Sequence, residues 1–485
     1  MSNNMKTNIL SLILIFTISI SFAQKFNFSK TSKKVVSKVD KVCAEKTNGN
    51  LVSIFFAGKL KIEIYDLNGV KKAKIKESFN LQNKIYRTTH TNNKGIYVFY
   101  ETLDGLYVKT FGYDGLLKKE QKLMEKPKLK VFTTESQLQH MVMFNEDKSH
   151  FVIYQGTNYW LHQLMCKDKD KPESMEYFEI SGGREEYFFA KKFTVYDMDF
   201  NLKSTYKTNN KDFPTYSAHL SKDGSLYFIE PSSKTELVKV QNNVVIKVPF
   251  SIEKVGVFKP FLKEQDGKLM VATTIGIDNF SVNEDKVGGR LHLMYFSVNY
   301  QLYNASDLKR EYSHYYDFTK NEIEKSWTKD EANNKRKFAG ITYLKIADLK
   351  LVNTNEIIAT MYQKNDVTSY LKFSNIYLNK VTPKGIEKSI MIDRIDSGKE
   401  VYYGDSSFPL TVLYNNKYYL FYTKNDSDEI GYKEFDFNLK ETKTYFENFQ
   451  KEGKREPLLH LSTRHTDKLI SIPGWLGKSI WTIEF

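Results

Sequence analysis

The chain has 485 residues, a formal net charge of +14 and only two cysteines, Cys43 and Cys166. Lysines and acids are interleaved with no long single-sign block, which excludes the basic stripe that nucleic-acid recognition uses. Neither cysteine has a partner at C-x-x-C spacing, which excludes a cysteine metal centre.

The excess of base is compatible with affinity for anionic surfaces or polymers. It is equally compatible with a bias of composition, since Lys, Asn, Ile, Phe and Tyr are abundant together. Residues 1–23 have the layout of a secretory signal peptide: Lys6 is the only charge, Ile9 to Phe22 is apolar, and Ser21-Phe22-Ala23 supplies small residues before a cut after Ala23. The apolar run is shorter than the roughly 20 residues of a spanning helix. The expectation is an exported protein, periplasmic or released to the medium. No Pro-, Gly- or Ser-rich linker interrupts residues 24–485, which are read as a single domain. Export permits a disulfide, and whether Cys43 and Cys166 form one stays open.

Eight times a turn rich in Asn, Asp or Gly runs into a short burst of β-branched, aromatic and aliphatic residues. The bursts begin near Leu51, Gly95, Phe151, Ser225, Lys268, Glu356, Lys417 and Lys468. Tight polar turns follow most of them, as at Asp66-Leu67-Asn68-Gly69, Asp199-Phe200-Asn201-Leu202, Asn299-Tyr300-Gln301-Leu302 and Asp436-Phe437-Asn438-Leu439. One stretch shows a complete unit: strands over 215–221, 225–229, 235–241 and 244–249, with turns at Asp223-Gly224 and Asn242-Asn243. A unit this thin cannot bury its own apolar face and must stack on its neighbours. The fold class expected is all-β: a β-propeller of about eight four-stranded blades, seven being also compatible. The last unit, ending at Phe485, is one strand short, and Lys25-Phe26-Asn27-Phe28-Ser29 alternates without a blade of its own. It is expected to complete the final blade and close the ring.

Within the complete unit, Ser221-Lys222-Asp223-Gly224 resembles the S-P-D-G repeats of periplasmic propellers of the Tol-Pal type, with Lys222 in place of Pro. The resemblance implies the architecture and no activity. A second segment, Asp405-Ser406-Ser407-Phe408-Pro409 followed by Lys417 to Tyr422, resembles a blade of the arabinanase-type propeller glycosidases, in which channel carboxylates act as acid and base. This implies Asp405 as a candidate catalytic carboxylate. Such enzymes need a second carboxylate roughly 5 to 9.5 Å away, and no second motif supplies one. The alternation of Trp481, Ile483 and Phe485 at the C-terminus raises a structural alternative, an outer-membrane β-barrel.

Long insertions are expected near 154–184, 275–290, 319–340 and 473–478, all on the side of the ring opposite the tight turns. They carry the ligand-binding candidates Trp160, Arg184, Arg290, Trp327 and Trp475, since a Trp beside Arg can stack on and hydrogen-bond a sugar or peptide. Asn321 to Glu331 reads as a short amphipathic helix with Ile323 and Trp327 on one face. His162 with Cys166, and His460 with His465, lack a third ligand at metal spacing, and no nucleotide fingerprint occurs; no metal and no cofactor are expected. The function expected is a non-catalytic exported scaffold that binds a protein or a cell-surface glycan, with association with the cell envelope and no nucleic-acid partner. The alternative is a glycan-active hydrolase with carboxylates at the channel mouth.

Overall fold

Every one of the eight bursts becomes the second strand of an antiparallel sheet in the computed structural model. These strands are Asn50–Phe56, Gly95–Thr102, His150–Asn158, Leu226–Glu230, Lys268–Asn279, Ile357–Val367, Lys417–Thr423 and Leu469–Pro473. The structure describes residues 27–30, 41–45, 50–56, 58–66, 70–79, 84–125, 140–158, 188–208, 213–214, 218–230, 235–279, 292–325, 341–342, 344–367, 370–392, 409–423, 429–448, 463–466, 469–473 and 480–484.

Among these residues there are eight sheets, each built on a path of four antiparallel strands, consecutive in the chain in seven of them. Two sheets add a short fifth strand: Phe213–Pro214 against Phe188–Asp197, and Ile341–Thr342 against His292–Asn304. The eighth sheet is completed by Asn27–Lys30, which pairs antiparallel with Ile480–Glu484.

The two-residue period of a strand explains how the sheets stack. In the second strand of the third sheet, Phe151 and Ile153 pack with Tyr97 and Phe99 of the second sheet. Val152 and Tyr154 turn the other way, onto Leu226 and Phe228 of the fourth. The pattern continues around the chain: Tyr227 and Ile229 meet Leu269 and Val271, then Met270 and Ala272 meet Ile357 and Ala359. A strand covered on both faces must be apolar on both faces, which is why the bursts show little alternation. Each fully buried Leu, Ile or Phe contributes roughly 1.5–3 kcal/mol, and none of it is available to a single sheet.

The first strands of the sheets converge. Lys41–Glu45 touches both Thr463–Thr466 and Lys84–Asn92, which in turn approaches His140–Phe144; Ala218–Leu220 meets Val257–Gln265, which meets Leu344–Leu351, which meets Leu410–Tyr414. The fourth strands carry exposed faces, as in Lys71–Ser78 and Val244–Pro249. First strands line the inside and fourth strands the rim: the protein is a β-propeller of eight blades. Eight separate sheets replace the single closed sheet that a membrane barrel requires.

Two readings from the sequence are corrected. Asn299 to Leu302 is not a turn but lies inside the strand His292–Asn304. Tyr300 and Leu302 are fully buried there, and Asn299 and Gln301 are buried with hydrogen bonds to His314 O and Ser251 O; the turn falls at 305–309 instead. The insertions begin later than expected, after Asn158 and Asn279, since those strands run on past register shifts at Gln155/Gly156 and Ile275/Gly276. The expected short helix is present and spans Lys320–Lys325, while residues 326–331, Trp327 among them, lie outside the described residues. The helix is set by a reciprocal cap, in which Glu322 N donates to Thr319 Oγ1 at 3.2 Å and Thr319 N to Glu322 Oε2 at 2.8 Å.

Candidate functional site

The connections divide sharply between the two sides of the ring. First-to-second and third-to-fourth turns leave one side, and none is longer than a stretch such as 145–149 or 305–309. The other side carries the connections 126–139, 159–187, 280–291, 318–343, 393–409 and 449–462. All insertions expected from the sequence leave this elaborated side, and 126–139, 393–409 and 449–462 join them. The candidates Trp160, Arg184, Arg290, Trp327, Trp475 and Asp405 all lie outside the described residues, as do the leader and Cys166. Cys43 lies on the first strand of blade 1, in register with Val52.

Beneath the elaborated side, blades 2 and 3 bring together three buried polar groups that sequence reading did not single out. Glu101, near the end of a second strand, is fully buried. Its Oε2 accepts a hydrogen bond from Arg87 Nε at 2.7 Å, and Arg87 Nη2 closes on the same oxygen. Its Oε1 lies 3.0 Å from His140 Nδ1. His140 is the first residue of its strand, so the dyad stands where connection 126–139 enters blade 3. Among the described residues no partner meets the buried His140 Nε2. A buried carboxylate between a guanidinium and an imidazole is held in one geometry, and it fixes how blade 3 sits on blade 2.

A second group lies on the first strands of blades 5 to 7. Asp348 Oδ1 is 2.7 Å from Lys263 Nζ, and its Oδ2 is 2.9 Å from Lys350 Nζ and accepts from Thr411 Oγ1 at 2.5 Å. Glu146, in the first turn of blade 3, reaches Lys263 at 3.8 Å. Burial pushes the Asp348 carboxyl up, but Lys263 and Lys350 outweigh it and hold it well below the usual carboxylate range. His219, on the first strand of blade 4, is pushed down to about 4 by burial and by the positive charge of Lys263, with Glu146 and Asp348 opposing.

Glu101 and Asp348 are thus each neutralised by cations, an arrangement that joins blades. Asp348 is the single acidic residue of Leu344–Leu351, two residues before Lys350, and this was the signal that marks it.

No protein-family model matches the chain, and no curated protein sequence does. Solved structures show a distant likeness to it. The WD40 domain of SCAP from fission yeast is 9% identical, with 95% of this chain and 98% of that one covered and a TM-score of 0.46. Sqt1 from Chaetomium thermophilum is 10% identical over 94% and 98%, with a TM-score of 0.42. The β-propeller domain of Cps50 (Swd1) from Myceliophteria thermophila is 10% identical over 95% and 100%, with a TM-score of 0.36. The propeller fold rests on the order of the sheets and not on these likenesses.

Proposed function

We propose that residues 24–485 act as one exported, non-catalytic propeller domain that binds a protein or a cell-surface glycan through the elaborated side. The observation that carries this reading is the segregation of every long connection onto one side of a rigid ring, where binding residues usually collect. The carboxylates Glu101 and Asp348 support it. A glycosidase of the retaining or inverting kind needs one carboxyl kept protonated by a raised pKa, whereas Asp348 is held ionised between two lysines and Glu101 is tied to Arg87 and His140. The leader pattern in residues 1–23 motivates export.

The test is affinity capture from a cell-envelope extract with the chain beginning at Gln24, beside a variant in which 159–187 is replaced by a short Gly-Ser link. A partner protein or glycan held by the first and lost by the second is expected. A partner retained equally by both, or release of cleaved glycan by the bait alone, contradicts the reading.

A further inference from the structure

The fourth strands form the rim, and their charge is divided between two parts of the ring. In blades 1 to 4 they are Lys71–Ser78, Leu117–Glu125, Leu202–Lys207 and Val244–Pro249, which together hold ten lysines and three glutamates. In blades 5 to 7 they are Arg310–Asp317, Gly385–Ile392 and Glu441–Asn448, with three basic and five acidic residues. Along the sequence these lysines are diluted by the intervening strands, but a repeat of one blade length gathers them on one arc. Among the described residues Lys74, Lys76 and Lys207 enter no ion pair. The Lys74 ammonium is held below the ordinary lysine range, by desolvation and then by the like charges of Lys61, Lys76 and Lys71.

The same four blades share a second feature. Where the tight third-to-fourth turn enters the rim strand, each exposes an aliphatic side chain: Val70 at 60%, Leu116 at 62%, Leu202 at 57% and Val244 at 63%. Leu117 and Val245 extend the row. In blades 5 and 7 the turn aliphatics Leu308 and Leu439 are buried, and the rim opens with Lys309-Arg310 and Lys440-Glu441. Isolated exposed aliphatics are ordinary on a protein surface, whereas one at or just before the first residue of the rim strand in four successive repeats, all on the tight-turn side, makes a row.

We infer that the tight-turn side of blades 1 to 4 docks on an anionic lipid surface, the rim lysines meeting headgroup phosphates while the aliphatic row enters the headgroup boundary. Charge complementarity selects an anionic partner. The aliphatic row selects a bilayer over a polysaccharide or nucleic acid, because only the bilayer offers an apolar phase beside its phosphates. The inference rests on the rim alone and is independent of what the elaborated side binds. It places that side facing away from the membrane.

The test is co-sedimentation of the chain from Gln24, which contains all eight sheets, with vesicles of phosphatidylcholine alone or mixed equally with phosphatidylglycerol. Binding is expected only with phosphatidylglycerol and is expected to weaken with salt. Lys74→Gln and Lys76→Gln should each lower affinity about fivefold. Replacing Val70, Leu116, Leu117, Leu202, Val244 and Val245 together by Ser should lower it roughly tenfold or more, and Lys309→Gln on blade 5 should leave it unchanged. All these side chains are exposed, and unchanged near-ultraviolet circular dichroism confirms that the variants fold. Absence of binding to the phosphatidylglycerol vesicles overturns the inference. So does a response to the lysine changes without one to the aliphatic changes, which, with binding to heparin, assigns the band to a soluble polyanion instead.

Discussion

Phe28 stands opposite Ile483 in the antiparallel register that joins Asn27–Lys30 to Ile480–Glu484. Four residue pairs therefore tie the beginning of the ring to its end. Their backbone hydrogen bonds, at roughly 1 kcal/mol each, sum to a few kcal/mol. A chain of this length moves only about 1 °C per kcal/mol, given roughly 2 cal/mol/K of unfolding entropy per residue. Deleting residues 24–30 is thus expected to lower the melting temperature by about 4 °C and, more tellingly, to broaden the transition as blade 8 opens. A calorimetric scan that superimposes on the parent contradicts closure by this strand.

The Arg87–Glu101–His140 group predicts an asymmetry between single and double substitutions. Glu101→Ala leaves a guanidinium buried without its counter-charge and is expected to cost about 3–5 kcal/mol in urea unfolding. Arg87→Met combined with Glu101→Leu removes both charges and is expected to recover most of that loss. A double variant as unstable as the single one shows that the packing, not the unpaired charge, set the cost.

His219 predicts a pH window. Its folded pKa of about 4 lies below the usual value of about 6.5, so between them the unfolded chain takes up a proton that the folded chain refuses. Stability therefore falls as pH drops through that interval and levels off below it, by at most about 3 kcal/mol. His219→Gln is expected to flatten this slope in urea midpoints measured across the window. Asp348 acts at lower pH. Its depressed pKa contributes stability above the ordinary carboxylate range, and that contribution is lost as pH falls towards the folded value. The penalty of Asp348→Asn is thus largest near neutrality and shrinks below about pH 4.

The hairpin turn of blade 7 holds Asn415 and Asn416 at φ of 48° and 56°. This left-handed region penalises a β-branched side chain and admits Gly. Asn416→Val is expected to destabilise by about 1–2 kcal/mol, and Asn416→Gly to stay within about 0.5 kcal/mol of the parent. Equal unfolding midpoints for the two variants contradict this account of the turn.

The fold was legible because its two determinants are local. Asp266-Gly267 and Asn242-Asn243 dictate turns by their backbone preferences, and the runs after them are apolar on both faces because two neighbours cover each second strand. Where a polar residue is buried and satisfied, the local signal misleads: Asn299 and Gln301 have the composition of a turn and the environment of a core. The inner polar groups were hidden for another reason. Glu101, Arg87 and His140 meet only through the stacking of two blades, which no spacing along the chain displays. The lysine band was likewise invisible as a run, since Lys74 and Lys207 share an arc only after the blades are wound.

Closure through blade 8 also dictates an order of assembly. The strand that precedes every blade is the one used last: Asn27–Lys30 has no seat until Ile480–Glu484 exists beside it. Seven sheets can form as their own residues become available, each shielding the flank of its predecessor, while the eighth waits for both extremities to arrive at one place. If the chain is exported in extended form, as proposed, that requirement is met only after Ile480–Glu484 has crossed, and the ring would then close in the destination compartment.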